Sequence, residues 1–382
     1  MGPLAGIRVL EVPNLGPVQF AGMMLGDLGA EVVRLDRAAD VHRGRGLMDP
    51  SPHAVLDRGR TSVGVDLKHP DGAGVVLRMA ERADVLIEGF RPGVAERLGV
   101  GPEPCTARNP RLVYARMTGW GQDGPLAGSP GHDINYIARA GVLAHVGPAG
   151  GPPVPPINLL GDFGGGATFL VVGILAALVE RAASGRGQVV DAAMVDGAAS
   201  LMGVFHGLDQ MDAWSEERGT NLLDGGAPFY GVYETADGRW VSVGAFEEKF
   251  YAELLDVLGF SDVDPADQMD ASAWPALRER FAAAFRRRTR DEWTRVMEGR
   301  EVCYAPVLTM AEARRDPHLA SRRTFTEVGG VAQPAPAPRF GRTPGSVSRA
   351  PVAPGSDTDD VLGAWGFAPG EVEALRASGA IA

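Results

Sequence analysis

The sequence predicts an α/β fold, in which a doubly wound, mostly parallel sheet is joined to a smaller α+β domain. Three observations predict it. Between Ile7 and Met117, apolar runs of strand length alternate with helix-length segments. Beyond Ala193 this alternation gives way to a hairpin pattern followed by consecutive helical patterns. A Pro- and Gly-rich stretch, 328–354, then leads to two short helical segments at the end of the chain.

Ile7 to Glu11 reads as the first strand, Val18 to Leu28 as the first helix and Ala30 to Leu35 as the second strand. Ser62 to Leu67 is a strand, and Pro70 to Ala83 is a helix with Pro in its first turn, where a missing N–H costs nothing. Asp84 to Ile87, Leu112 to Met117 and Gln188 to Ala193 are further strands. Strands separated by helices cannot pair as hairpins, so the sheet is parallel, wound right-handed and Rossmann-like. Phe163 to Val179 is uncharged, but it is short for a membrane span and is bracketed by Asp162 and Glu180. It reads as a buried helix. Met194 to Trp214 is expected to be a helix leaving the first domain. Tyr233 to Val243 is a hairpin turning at Asp237-Gly238. Helices follow at Glu248 to Leu258, Trp274 to Arg287 and Arg290 to Gly299, and two short ones lie within Asp357 to Ala377. The expected domains are therefore 1–200, completed by the return 330–382, and 225–310, with 201–224 and 311–329 as linkers.

Composition narrows the function classes. The 382 residues carry a formal net charge of -11, which argues against nonspecific nucleic-acid binding. The two cysteines, Cys105 and Cys303, make neither a disulfide framework nor a zinc site, and the seven histidines show no HExxH spacing. No metal is expected. The first turn, Pro13-Asn14-Leu15-Gly16-Pro17, is not GxGxxG, and no GxxxxGK[ST] follows a strand. Dinucleotide and P-loop nucleotide binding are therefore disfavoured. The two thiols read as reduced, and a cytoplasmic location is expected; the start shows no secretory signal and the end no peroxisomal address.

Two loops carry the chemistry. Pro130-Gly131-His132-Asp133-Ile134-Asn135-Tyr136 and Asn158-Leu159-Leu160-Gly161-Asp162-Phe163-Gly164-Gly165-Gly166 each place a titratable side chain in a Gly-bounded loop that runs into an apolar helix. A base on each side of one carbon, with helix-start amides to hold developing negative charge, is what moving a proton beside a carbonyl requires. Each residue also has a plainer reading. His132 can be a turn histidine that caps a helix, and Asp133 reads as a cap rather than a base. Asp162 reads as an N-cap, a role compatible with catalysis. The three glycines after Phe163 are costly in a helix, and they would let a ligand approach backbone N–H groups closely. Glu247 or Glu248 is either a solvated helix-start acid or a carboxylate that orients an imidazole. Arg37, Arg58, Arg60, Lys68 and Arg91 are placed at or just past strand ends. Each alone is most simply a surface ion-pair partner, whereas together they suit phosphate.

At this point the residues resemble a family. Gly26 to Arg34, Val65 to Lys68, Arg91 to Val94, Tyr114 to Gln122, Gly131 to Tyr136, Asn158 to Gly166, Gly187 to Ala192, Asp224 to Tyr230 and Val243 to Glu247 are similar to motifs of the α-methylacyl-CoA racemases. These form a branch of the family III CoA-transferase (CaiB/BaiF) superfamily. The resemblance implies interconversion of R and S 2-methylacyl-CoA or 2-arylacyl-CoA thioesters through an enolate. It implies that His132 and Asp162 are catalytic, with Glu247 paired to His132. It implies that CoA is held by Arg37, Arg58, Val65, Asp66, Leu67, Lys68, Arg91 and the loop Gly131, His132, Asp133, Ile134, Asn135 and Tyr136. It further implies an interlocked homodimer of the family III type, with the large domain of one chain and the small domain of the other building each site. CoA is then part of the substrate, no separate cofactor is needed, and no membrane or nucleic-acid partner is expected. In one departure, Asp57 stands where the family usually has Asn, and an acid beside a phosphate is expected to weaken or reposition CoA. The alternatives are a CoA-transferase using Asp162 as a nucleophile, because transferases carry their nucleophilic Asp at that position, and a CoA-thioester binding protein without turnover.

Overall fold

The computed structural model describes residues 2–12, 16–43 and 53–382, the side chains of His42 and Arg43 excepted. Pro13, Asn14 and Leu15 of the first turn lie outside the described residues. The chain forms two compact units, one of Met1–Ala140, Ile157–Leu201 and His318–Ala382, the other of Gly141–Pro156 and Met202–Pro317.

The first unit is built on six parallel strands: β1 Arg8–Glu11, β2 Glu31–Arg37, β3 Arg60–Val65, β4 Val85–Glu88, β5 Val113–Thr118 and β6 Val189–Ala193. Their order is β3-β2-β1-β4-β5-β6. Successive side chains of a strand point to opposite faces, and both faces here are apolar. Val9, Val85, Ile87, Val113 and Ala115 pack on one side with α1 (Pro17–Asp27). Leu10, Val33, Leu86 and Tyr114 pack on the other with α2 (Gly72–Ala80). Loop 130–132 enters α3 (Asp133–Arg139). The segment after Leu159 begins with π-helical turns, Leu160–Thr168, and continues as Phe169–Ser184; together these are α4. Strand β6 leads into α5 (Met194–Leu201).

Three expectations change here. The α4 segment is long and apolar enough to cross a membrane, and it is not the fully buried helix expected: one face packs on the sheet and the other is exposed. Leu170, Val171, Ile174 and Ala177 are buried against the sheet, while Phe169, Val172 and Val179 are exposed. The helix expected over 194–214 breaks at Met202 and resumes as Gly203–Asp209. The Pro/Gly-rich return begins beside a short antiparallel pair, Phe325–Val328 with Val331–Pro334, turning at Gly329-Gly330, both at positive φ.

The second unit holds a three-stranded antiparallel sheet: β7 Tyr230–Glu234, β8 Trp240–Gly244 and β9 Tyr304–Pro306. Asp237-Gly238 makes the β7–β8 turn, with Gly238 at φ 70°. Helices α6 (Glu248–Leu258), α7 (Trp274–Phe285) and α8 (Arg290–Met297) bury Tyr251, Leu254, Phe281, Phe285 and Trp293 over one sheet face. At the chain end, α9 (Thr358–Ala364) and α10 (Pro369–Ser378) pack on the α2 face of the first unit. There Trp365 is buried and its Nε1 donates to Glu31 Oε1 at 2.9 Å, while Ile381 bridges Val65.

Candidate functional site

The strand order reverses direction between β1 and β4. In doubly wound sheets, ligands bind beyond the carboxyl ends of the strands at such a switch point. A cavity of about 360 Å³ lies there. Gly16 and Pro17 line it after β1, Gly89 to Pro92 after β4, and Met117 to Trp120 at the end of β5. Loop 129–132, Tyr136, Asn158, Asp162 and Met194 complete it. The structure therefore brings His132 and Asp162 into one cavity with Arg91.

Each side chain has a local reason for its place. His132 precedes α3, is exposed, and donates its backbone N–H to Asn135 Oδ1 at 3.1 Å. Tyr136, one turn on, is buried edge-on against Trp120 with ring centroids 4.8 Å apart. Gly119 and Gly131 flank that ring. A Cβ at either position would meet it at 2.0 or 2.7 Å, so glycine is needed at both ends of the loop. Burial, and secondarily the Asp162 charge, hold the Tyr136 phenol above its usual range.

Asp162 lies within the first turns of α4 and is not the N-cap that the sequence suggested; Leu159 holds that position. Its Oδ2 accepts from Asn158 Nδ2 at 3.0 Å. Burial is the main cause that raises its carboxyl above the ordinary range, and the charge of Asp133 adds to it. The Asn158 hydrogen bond and His132 oppose the rise. Asp133 is a cap, but not of its own helix: its Oδ2 accepts the amides of Gly161 at 2.6 Å and Asp162 at 2.8 Å, at the start of α4. The glycines after Phe163 serve packing more than ligand approach. A Cβ on Gly165 would sit 2.5 Å from the backbone nitrogen of Ala198 in α5, and one on Gly166 would sit 2.8 Å from Met194.

The cations divide into two groups. Arg37 ends β2 and is exposed, Lys68 lies beyond β3, and Arg91 lies beyond β4. All three are at the ligand edge of the sheet. Val65 to Lys68 share that edge, although Val65 is buried and the Asp66 amide donates to Ala380. Among the described residues Arg91 has no ion-pair partner. Arg58 and Arg60 sit instead at the start of β3, away from that edge, and both are buried. Arg58 spends its guanidinium on both carboxylate oxygens of Asp27, on Gln333 Oε1 at 2.8 Å and on the Pro334 carbonyl at 2.7 Å. Four of its five N–H groups are thus committed inside the protein and the side chain is buried, which argues against the CoA contact expected of it. Arg60 pairs with Glu11 at 2.7 Å. Asp57 is buried between Arg34 at 3.4 Å and the side-chain amide of Gln19 at 3.2 Å, so it faces the protein interior rather than a phosphate.

Glu247 belongs to the second unit, where it is exposed and precedes α6. Two contributors escaped the sequence reading as individuals: Asn158, which holds Asp162, and Gly16, whose added Cβ would lie 3.2 Å from Asp162 Oδ2. The i,i+4 spacing of Asn158 and Asp162 was the available signal.

Comparison with known proteins places this geometry. The model of CoA-transferase family III matches residues 4–358. The chain is 44% identical over 376 residues to the α-methylacyl-CoA racemase of Mus musculus, covering 98% of this chain and 96% of that one. It is 42% identical to the α-methylacyl-CoA racemase of Homo sapiens, with the same coverage of both chains. Among solved structures it is similar to Rv3272 of Mycobacterium tuberculosis, at 28% identity and a TM-score of 0.80, covering 95% of this chain and 99% of that one. The chain therefore belongs to CoA-transferase family III, and over 98% of its residues it is similar to proteins named α-methylacyl-CoA racemase.

Proposed function

We propose that this protein interconverts the R and S epimers of 2-methylacyl-CoA or 2-arylacyl-CoA thioesters by moving the proton on C2. The observation that carries the reading is the shared cavity. One imidazole and one carboxyl line the same space at the switch point of the sheet, in a chain 42–44% identical to named racemases. In one direction His132 takes the α-proton as a neutral base, the thioester becomes an enolate, and Asp162 delivers a proton to the opposite face. In the other direction the roles reverse. Burial raises the Asp162 carboxyl above the ordinary carboxylate range, which makes it a stronger base toward the α-proton. Backbone amides near Phe163 and Gly164 are assigned to the enolate oxygen, where one well-placed donor contributes roughly 3–4 kcal/mol.

Arg91, Arg37, Lys68, the backbone of 65–67 and loop 131–136 are assigned to CoA. The exposed cations suit its phosphates, since a guanidinium fork meets two oxygens at once. Glu247 is assigned to the His132 imidazolium of a second copy, within a homodimer. Support for the dimer comes from α4, whose outer face exposes Phe169, Val172 and Val179, an apolar stripe left uncovered among the described residues of its own unit. The chemistry proposed uses the protein's own side chains and backbone amides, and the location proposed is the cytoplasm.

The test is incubation with single epimers of 2-methylacyl-CoA in deuterated water. Deuterium at C2 together with formation of the other epimer is expected. Absence of both across a panel of acyl groups sinks the reading. Transfer of CoA to a free carboxylic acid, with an Asp162 adduct trapped by hydroxylamine, would point instead to a transferase.

A further inference from the structure

Asp133 lies in the loop assigned to CoA, but its carboxylate has no part in that assignment, and its side chain is more constrained than that of either proposed base. It directly follows His132 and is buried. As the first residue of α3 it would ordinarily lend its carboxylate to its own helix. Instead a single oxygen accepts two amides from a segment 28–29 residues further along the chain, Gly161 at 2.6 Å and Asp162 at 2.8 Å. Among the described residues no Arg or Lys forms an ion pair with it. Its counter-charge is the start of α4, where unpaired N–H groups converge. The fit is close on the donor side as well, since a Cβ on Gly161 would lie 2.7 Å from Asp133 Oδ2.

We infer that Asp133 is a positioning residue for the proposed two-base reaction: its carboxylate ties the backbone of Asp162 to the residue that follows His132, and so sets the separation of the two bases while keeping a negative charge beside Asp162. The inference rests on the two-base reading. The bonds from His132 to Asp133, and from there to the Asp162 amide, link the two bases through the backbone and a single carboxylate. Proton transfer on opposite faces of one carbon tolerates little error in that separation. A displacement of about 1 Å costs on the order of 10²-fold in rate. The charge acts in the same site, because Asp133 is among the causes that raise the Asp162 carboxyl.

Two variants separate geometry from charge. Asp133→Asn keeps an oxygen able to accept both amides and removes the charge. Asp133→Ala removes both. For Asp133→Ala, kcat is expected to fall on the order of 10²-fold, a larger change than any in KM for acyl-CoA. For Asp133→Asn, kcat is expected to recover most of that loss. The acid limb of α-proton wash-out should then move to lower pH for the one epimer that Asp162 deprotonates, because its carboxyl loses a neighbouring negative charge. A purely structural residue would move neither that limb nor one epimer alone. Amide hydrogen exchange gives a readout independent of turnover: Gly161 and Asp162 should lose protection in Asp133→Ala and keep it in Asp133→Asn. Unchanged protection in Asp133→Ala, or an acid limb that stays put for both epimers in Asp133→Asn, overturns the inference. Wild-type protein that neither exchanges nor epimerises overturns the two-base reading instead, and the amide protection then decides the clamp by itself.

Discussion

Replacing Arg58 with Ala tests whether this cation belongs to the fold or to the ligand. The Arg58 side chain is 2% exposed and faces an Asp27 carboxylate that is 4% exposed. Its guanidinium donates to both Asp27 oxygens and also satisfies Gln333 and the Pro334 carbonyl, which ties α1 to the returning chain. Truncation leaves the Asp27 charge buried and unpaired. Breaking a buried pair from one side typically costs about 3–5 kcal/mol, a large part of the stability of a folded domain. The penalty has a pH signature. Burial already raises the Asp27 carboxyl and Arg58 opposes that rise, so without Arg58 the folded-state value climbs further above the unfolded one. A group raised in this way loses stability as pH rises through its folded value and regains it on acidification. Urea unfolding of Arg58→Ala should therefore show a large loss at pH 8 and a smaller one at pH 5. Calorimetry on the remaining folded protein should give a CoA dissociation constant close to wild type. Unchanged stability with a 10-fold or greater loss of CoA affinity, roughly 1.4 kcal/mol, would refute the assignment and return Arg58 to the ligand.

Arg91→Ala should behave in the opposite way, with stability unchanged and CoA binding weaker by about 1.5–3 kcal/mol in titration calorimetry, since a charge-assisted contact is lost from an exposed side chain. Asn158→Ala removes the hydrogen bond that lowers the Asp162 carboxyl, so the acid limb of exchange from one epimer should move to higher pH, read by mass spectrometry of the product. Gly165→Ala should cost about 1–3 kcal/mol in urea unfolding, because its Cβ would meet the backbone of Ala198 and force α4 away from α5.

Much of the fold was legible in the sequence because parallel strands buried on both faces read as continuous apolar runs, such as Val85-Leu86-Ile87. Strand β2 was legible in spite of Arg34 and Asp36, but their burial was not. Their partners, Asp57, Ser62 and the carbonyl of Val352, come from the turn before β3, from β3 itself and from the far end of the chain. Arg58 and Arg60 were misplaced for the same reason. A cation beside a strand looks alike at either end, and only the assembled sheet shows which end faces a ligand. In the site, the two Gly-bounded loops pointed to His132 and Asp162. The cap at α4 could not be found from spacing, because Asp133 reaches across from another helix and leaves Asp162 free to project its side chain.

The most direct test of the central claim is epimer-resolved α-proton exchange in His132→Ala and Asp162→Ala. General-base removal lowers rates by roughly 10²–10⁴-fold, well within the range of mass spectrometry in deuterated water. Both variants should lose epimerisation, since interconversion needs a group on each face. They should differ in exchange: His132→Ala should lose wash-out from one epimer and keep it from the other, and Asp162→Ala should show the reverse. Equal loss from both epimers in both variants would contradict the opposed-face arrangement and favour one shared base or a covalent route through Asp162.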